Sequence, residues 1–114
     1  MKKQQIGINV LLDNEQMPEH IEWSATGKED DSFAPAKAFM VSLWDGAERT
    51  ALRMDLWTKK MMVDEMNDFY FQTLITMADS FNRATRNEEL AKDLKEFAYQ
   101  FKKKADESLE KAAD

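Results

Sequence analysis

The chain has 114 residues, a net charge of -6 and no cysteine. This length fits one domain, which would bury about two-thirds of the surface that its unfolded chain exposes. The acidic balance argues against non-specific nucleic-acid binding, which needs clustered Lys and Arg to release counterions. The lack of cysteine excludes disulfides, thiolate metal sites and thiol catalysis.

The first residues give no sign of a targeting segment. After Met1-Lys2-Lys3, the segment QQIGIN alternates polar and apolar residues, whereas a signal peptide has an apolar run followed by a cleavage site. Nowhere does an uncharged apolar run approach the roughly 18 residues that are needed to span a bilayer. We therefore expect a soluble, cytoplasmic protein without membrane insertion.

Four segments have the two-residue periodicity of strands with one buried face. They are residues 5–12, 20–25, 38–44 and 51–57. Between the second and the third, residues 26–35 (TGKEDDSFAP) combine Gly, Pro, Ser and charged side chains. This composition predicts a mobile surface loop.

The last two strands are predicted to form a hairpin. Asp45-Gly46 favours a two-residue turn, but that turn would set Glu48 opposite Leu43 on the apolar face. A four-residue loop over residues 46–49 keeps the same face apolar throughout. We therefore predict that Leu43 pairs with Leu52, Val41 with Met54 and Phe39 with Leu56.

Two amphipathic helices are predicted after the strands. The first covers residues 62 to 84, and its apolar stripe comprises Met62, Met66, Phe69, Tyr70, Leu74, Met77 and Phe81. Asn87 is the expected N-cap of the second, whose stripe comprises Leu90, Leu94, Phe97, Ala98 and Phe101. Residues 102–114 hold only one large apolar side chain, so we predict a charged helical tail that frays.

Together these elements predict an α+β fold with a single domain over residues 1–101. An antiparallel sheet of about four strands is followed by a C-terminal helical hairpin, which is expected to pack on one face of the sheet. Leu52, Met54 and Leu56 are assigned to the core between sheet and helices. No internal repeat is present.

The opposite face of the sheet is too apolar to be well solvated. It carries Met40, Trp44, Trp57 and Leu11, interrupted by Ser42, Arg53 and Asp55. Either a segment of the same chain or another chain would cover it, and Trp, Met and Arg are the residues enriched in interface cores. We predict an interaction surface and a homo-oligomer, with Met40, Trp44, Arg53 and Trp57 as the contact residues.

Residues suited to metal binding or proton transfer are few. His20 lies near Glu22, but no partner motif accompanies it, and a solvent-facing turn residue is the simpler interpretation. The three carboxylates at positions 29, 30 and 31 lack the ligand spacing of a calcium loop.

Asp45 and Asp55 lie on neighbouring predicted strands and could form a carboxylate pair for hydrolysis. The favoured interpretation is that Asp45 serves the turn, while Asp55 pairs with Arg53 or with a cross-strand neighbour. With three glycines and no phosphate loop or nucleophile motif, we predict no enzyme, no catalytic residues, no metal and no cofactor.

Residues 52–66 (LRMDLWTKKMMVDEM) and 72–85 (QTLITMADSFNRAT) resemble the gliding-motility-associated family GldC. The segments IEWSA and KAFMVSLWD extend the resemblance, which covers residues 6–101, and Met62 stands where we expect the family to have proline. The resemblance implies a small cytoplasmic accessory protein of gliding bacteria, without assigned enzymatic activity. It also implies association with other motility components, including a lipoprotein.

Two functional hypotheses follow, from different classes. The first is an adaptor that binds the gliding or protein-export machinery through the face carrying Met40, Trp44 and Trp57. The alternative is an export-chaperone-like binder of unfolded polypeptides, by analogy with SecB-type chaperones, although fold does not imply function. Binding of a small molecule between sheet and helices has no convergent polar group to support it.

Overall fold

Five antiparallel strands precede two helices along the chain. The computed structural model describes residues 1–27 and 32–113. The elements are β1 (Ile6–Leu12), β2 (Pro18–Ala25), β3 (Ala34–Ala36), β4 (Ala38–Asp45), β5 (Thr50–Trp57), α1 (Val63–Thr85) and α2 (Glu88–Ala113). The predicted α+β class, with antiparallel strands followed by two packed helices, is confirmed. The strands number five and form two sheets, in place of about four strands in one sheet.

The chain forms two compact units. Met1–Met61 contains all the strands, and Met62–Asp114 contains both helices. Helix α2 continues without interruption through the segment that was predicted to fray. The predicted domain boundary after residue 101, and the fraying itself, stay predictions.

The first sheet has the strand order β1-β2-β3, and its central strand supplies the core of the strand unit. Ile21 is only 1% exposed, and it lies opposite Val10 on one side and Ala36 on the other. Strand β2 begins at Pro18, two residues before the predicted start, and Pro18 pairs with Leu12 beyond a register shift. Proline is accepted there because it is the first residue of the strand.

Strand β3 begins inside the segment 26–35 that was predicted to be a loop, so the predicted end of that loop was wrong. Ala34–Ala36 pairs with β2 at the edge of the sheet. An edge strand tolerates Pro35, because its outer side has no neighbouring strand to which a missing N–H could fail to donate. Residues 28–31, with the three carboxylates considered for calcium, lie outside the described residues.

The second sheet is the two-stranded hairpin β4-β5, and the predicted register is confirmed. Eight pairs join the strands without a register shift. They include the three predicted pairs, Leu43 with Leu52, Val41 with Met54 and Phe39 with Leu56. The four-residue loop is also confirmed, because the outermost pair is Asp45 with Thr50.

Both helix starts follow from local capping. The Met62 N–H donates to Glu65 Oε1 at 3.2 Å before α1, and the Leu90 N–H donates to Asn87 Oδ1 at 3.1 Å in α2. Asn87 therefore caps α2 as predicted. Helix α1 ends at Thr85, and the next residue, Arg86, forms a left-handed cap with a φ of 60° and an N–H that donates to the Asn82 carbonyl. In the described chain, no helix is long and apolar enough to cross a membrane.

The helices pack through alanines, which the predicted stripes did not anticipate beyond Ala98. Ala78, Ala91 and Ala98 are the buried apolar residues of the helical unit. The larger members of the stripes at positions 62, 70, 77, 81, 90 and 97 are exposed. Small residues let two helix backbones approach closely, so the large side chains flank the contact instead of filling it.

Ring contacts and ion pairs border the alanine seam, as we name the contact formed by Ala78, Ala91 and Ala98. The rings of Phe71 and Tyr99 are 5.5 Å apart, and those of Tyr70 and Phe101 stack at 6.4 Å. Lys95 Nζ lies 2.7 Å from Asp79 Oδ1. The order of these contacts along both helices shows that α1 and α2 run antiparallel.

Candidate interaction surface

The tip of the β4-β5 hairpin is held by the Asp45 side chain. Asp45 Oδ1 accepts hydrogen bonds from the backbone N–H groups of Ala47 and Glu48 at 2.9 and 3.2 Å. The Arg49 N–H donates to the Asp45 carbonyl at 2.8 Å, and Arg49 has a φ of 55°. Asp45 therefore serves the turn, which is the interpretation that the sequence favoured over a catalytic pair.

The register divides the hairpin into two faces. One, which we name the leucine face, carries Phe39, Val41, Leu43, Leu52, Met54 and Leu56. The other, which we name the tryptophan face, carries Ala38, Met40, Ser42, Trp44, Ala51, Arg53, Asp55 and Trp57. All four predicted contact residues lie on the tryptophan face, because side chains alternate along each strand.

The tryptophan face is open to solvent at both ends. Trp44 is 64% exposed near the loop, and Trp57 is 55% exposed at the other end of the hairpin. Trp44 lies opposite Ala51, six positions before Trp57, so the two indoles are roughly 20 Å apart along the strands. Met40 is half-buried, opposite Asp55 and diagonal to both Arg53 and Trp57.

The leucine face is also exposed, and its predicted packing against the helices stays a prediction. Leu52, Met54 and Leu56 were assigned to the core, but their exposed fractions are 59%, 58% and 37%. The alternation had correctly placed them on one apolar face. Alternation reports only which residues share a face, and it carries no information about what covers that face.

Arg53 and Asp55 are the two charged side chains inside β5. Across the ladder Arg53 faces Ser42 and Asp55 faces Met40. Neither charged residue therefore has a side chain of the other sign directly across from it. In the described chain neither forms an ion pair, and the expected pairing of Asp55 with Arg53 or a cross-strand partner is wrong. Two opposite charges on an exposed apolar face are thus available to a binding partner.

The open end of the hairpin is closed by Thr58. This residue is 3% exposed, and both its N–H and its hydroxyl donate to the Lys37 carbonyl, at 2.9 and 3.3 Å. These bonds join the residue after β5 to the residue before β4. They hold the two strands together at the end opposite the loop.

A second anchor joins the hairpin to the first sheet. Lys59 Nζ lies 2.9 Å from Asp13 Oδ2, and Asp13 Oδ1 accepts from the N–H groups of Glu15 and Met17. The hydrogen bond from Lys59, with those backbone bonds, lowers the pKa of Asp13 to about 2. The sequence analysis missed this pair, because the residues are 46 positions apart and no local signal links them.

His20 lies in β2 and not in a turn. Its Nε2 is 3.6 Å from Glu22 Oε2, and Glu22 Oε1 accepts from Asn9 Nδ2 at 3.1 Å. Within residues 1–27 and 32–113, no group of three or more His, Asp or Glu side chains is arranged to hold a metal ion. His20, Glu22 and Asn9 thus form a polar cluster on the sheet.

The helical unit has an apolar groove of its own. A cavity of about 580 Å³ lies between the start of α1 and the end of α2, and is lined mainly by Val63, Phe97, Phe101, Ala105, Leu109 and Ala112. Val63 and Phe97 are 66% and 55% exposed. The groove is therefore an apolar surface separate from the two faces of the hairpin, and the sequence did not single it out.

Comparison with known proteins gives one match. Residues 18–107 match a family model described as gliding motility-associated protein GldC-like. No curated protein and no solved structure matches the chain significantly. The matched residues include β2 to β5, all of α1 and most of α2, so they contain both the hairpin and the helix pair.

Proposed function

The chain belongs to the GldC-like family of gliding motility-associated proteins, and we propose that it is a non-enzymatic adaptor that binds a protein of the motility machinery. The family is not a known enzyme family. The proposed contact surface is the tryptophan face, with Met40, Trp44, Arg53 and Trp57 as its contact residues.

One observation carries this proposal: two exposed tryptophans lie on the same face of one hairpin. Tryptophan and arginine are the residues most enriched among interface hot spots, whereas scattered single apolar residues are normal on a protein surface. Here two indoles, a methionine and two charges share one continuous face. That combination supports partner binding over simple solvent exposure.

The dimensions of the face favour a partner that contacts it along the strands. Its two indoles, roughly 20 Å apart, would act as separate anchors, and the charges of Arg53 and Asp55 lie between them. Removing one hot-spot tryptophan costs about 2 kcal/mol or more of binding free energy. We therefore expect each Trp-to-Ala change to weaken binding about 30-fold.

The partner is a motility component, and a lipoprotein of that machinery is the candidate that the family resemblance implies. We place the adaptor in the cytoplasm, which agrees with its lack of cysteine.

Affinity capture from a gliding host tests the proposal. Tagged wild-type chain is compared with Trp44→Ala and Trp57→Ala, and with Phe97→Ala as a matched control, because Phe97 is an aromatic residue of α2 with 55% exposure. We expect the wild type and the control to recover a motility component, and both tryptophan variants to lose most of it. Equal recovery by all four, or no recovery of a motility component, would contradict the proposal.

Binding of unfolded polypeptides is the second candidate function. The apolar groove of the helical unit and the exposed leucine face support it, because chains that bind unfolded clients need accessible apolar surface. An aggregation assay with an unrelated unfolded client separates the two functions. Suppression that Phe97→Ala weakens and Trp44→Ala leaves unchanged would favour the chaperone-like role over the adaptor.

A further inference from the structure

The outer edge of β5 is an unpaired strand edge. In the described chain β5 pairs with β4 alone, over its full length and without a bulge. Proteins usually protect such edges with proline, lysine, bulges or very short strands. The eight-residue sequence of β5, TALRMDLW, has no proline and no lysine. Its only charged side chains are Arg53 and Asp55, which are opposite in sign.

From this edge we infer that β5 pairs antiparallel with β5 of a second copy of this chain, about a two-fold axis at Met54. In this arrangement Arg53 lies opposite Asp55 of the second copy, and the symmetry repeats the pair. The inference goes beyond the proposed adaptor function, since it concerns the edge of the hairpin and needs no motility partner.

Symmetry restricts the registers that β5 can adopt with its copy. A two-fold axis perpendicular to the sheet keeps each face on its own side, and residues directly opposite each other share a face. The axis must therefore pass through one residue pair, so that a residue faces its own copy. Only axes at Arg53 and at Met54 pair seven of the eight strand residues.

Charge selects between these two registers. An axis at Arg53 sets that guanidinium against its own copy and leaves Asp55 opposite Ala51. An axis at Met54 sets Arg53 against Asp55 in both directions, which turns the two unpaired charges into two ion pairs. Cross-strand pairs of opposite charge are stabilising and like charges are destabilising, so the Met54 register is favoured.

The other pairs in the Met54 register are also compatible. Leu52 faces Leu56 of the second copy, so the leucine face stays apolar across the seam. Ala51 faces Trp57 of the second copy, which sets a small side chain beside a large one. Pairing through the outer edge of β4 would have no charges to favour one register over another. The residues of β4 on the tryptophan face are uncharged: Ala38, Met40, Ser42 and Trp44.

The paired hairpins would form a four-stranded sheet with the order β4-β5-β5-β4. Its tryptophan face would carry both copies of Trp44 and Trp57, with the ion pairs at the centre. The dimer would thus present a continuous contact surface twice as wide, across the strands, as that of one hairpin.

Charge reversal tests the register directly. Arg53→Asp gives a chain with two acidic residues on the seam, and Asp55→Arg gives a chain with two basic residues. Each variant alone would face like charges twice, and we expect its dimer to be about tenfold weaker, or about 1.4 kcal/mol. An equimolar mixture of the two restores both ion pairs in a heterodimer, and the double variant restores them in a homodimer.

Sedimentation equilibrium of the purified chains measures these dimers. The matched controls are Arg83→Asp and Asp93→Arg, which make the same charge changes at exposed helix positions. We expect a wild-type dimer, unaffected controls, weakened single variants, and recovery in the mixture and in the double variant. Circular dichroism of each variant establishes that it is folded.

The inference is overturned if the folded wild type stays monomeric at its highest soluble concentration. It is also overturned if the single variants dimerise like the wild type, or if the mixture fails to recover. Capture of a motility component by a monomeric wild type would refute the dimer while leaving the adaptor function intact. A wild-type dimer that captures no motility component would refute the adaptor function while leaving the dimer intact.

Discussion

Lys59 Nζ lies 2.9 Å from Asp13 Oδ2, so a residue that follows β5 is bonded to the turn between β1 and β2. Together with the Thr58 bonds to the Lys37 carbonyl, this pair fixes the open end of the hairpin within the strand unit. The hairpin is anchored at one end, while both of its faces remain accessible. An anchored, exposed hairpin can present side chains to a partner without losing its place in the fold.

The Asp13–Lys59 pair predicts a specific acid dependence of stability. The pKa of Asp13 is lowered to about 2 in the folded chain, so the unfolded chain binds the proton at higher pH. The stabilisation is therefore complete above about pH 5 and is lost as the pH falls from about 4 towards 2. Asp13→Asn should lower the free energy of unfolding near neutral pH, and its difference from the wild type should vanish in acid.

Urea denaturation between about pH 7 and about pH 2 measures the free energy of unfolding of both chains. Asp93→Asn in α2 is the matched control, because Asp93 is exposed and forms no ion pair in the described chain. A difference between Asp13→Asn and wild type that stays constant with pH would show that the carboxylate charge has no part in the anchor.

Exposure of the leucine face predicts that its side chains contribute little to stability. Leu52→Ala should cost less than about 1 kcal/mol, since Leu52 is already 59% exposed. Ile21→Ala should cost about 2–5 kcal/mol, because Ile21 is 1% exposed at the centre of the first sheet. Urea unfolding of both variants gives the comparison, and equal costs would mean that the leucine face is covered in solution.

The alanine seam predicts that the helix pair is sensitive to added volume. Ala98→Leu should destabilise the helical unit by about 1–3 kcal/mol, because Ala98 is 0% exposed at the contact between α1 and α2. Ala112→Leu is the control at an exposed position of the same helix. Thermal unfolding followed by circular dichroism at a helical wavelength measures both, and an undisturbed Ala98→Leu would contradict the seam.

Capping by Asn87 predicts a smaller and local effect. Asn87→Ala removes the acceptor of the Leu90 N–H and should cost about 1 kcal/mol. Asn87→Asp keeps an acceptor at the same place and should be nearly neutral. Hydrogen exchange of the Leu90 amide is the local measurement, and unchanged protection in Asn87→Ala would argue against the cap.

The sequence allowed the hairpin to be predicted in detail because its register is over-determined. Only the four-residue loop kept Glu48 off the apolar face and set Leu43 against Leu52. The same reasoning placed Trp44 and Trp57 on one face. Alternation and pairing are local properties, so a single sequence contains them.

Other features could not be predicted from the sequence, because they depend on residues that are distant along the chain or on weak local signals. The exposure of Leu52 depends on what lies above the sheet, and the Asp13–Lys59 pair joins residues that are distant in sequence. Strand β3 was missed because three residues containing Pro35 have no strand periodicity, although an edge accepts proline. Apart from Ala98, the alanine seam was missed because apolar stripes weight large residues. Ala91 lies seven positions before Ala98, and that spacing could have indicated it.

Site-specific photo-crosslinking in a gliding host tests most directly whether the tryptophan face binds the motility machinery. A photoreactive aromatic residue is placed at Trp44, at Trp57 or, as the control, at Phe97. We predict crosslinks to a motility component from positions 44 and 57 and none from position 97. Crosslinks to that component from position 97 alone, or from none of the three, would contradict the assignment of this face.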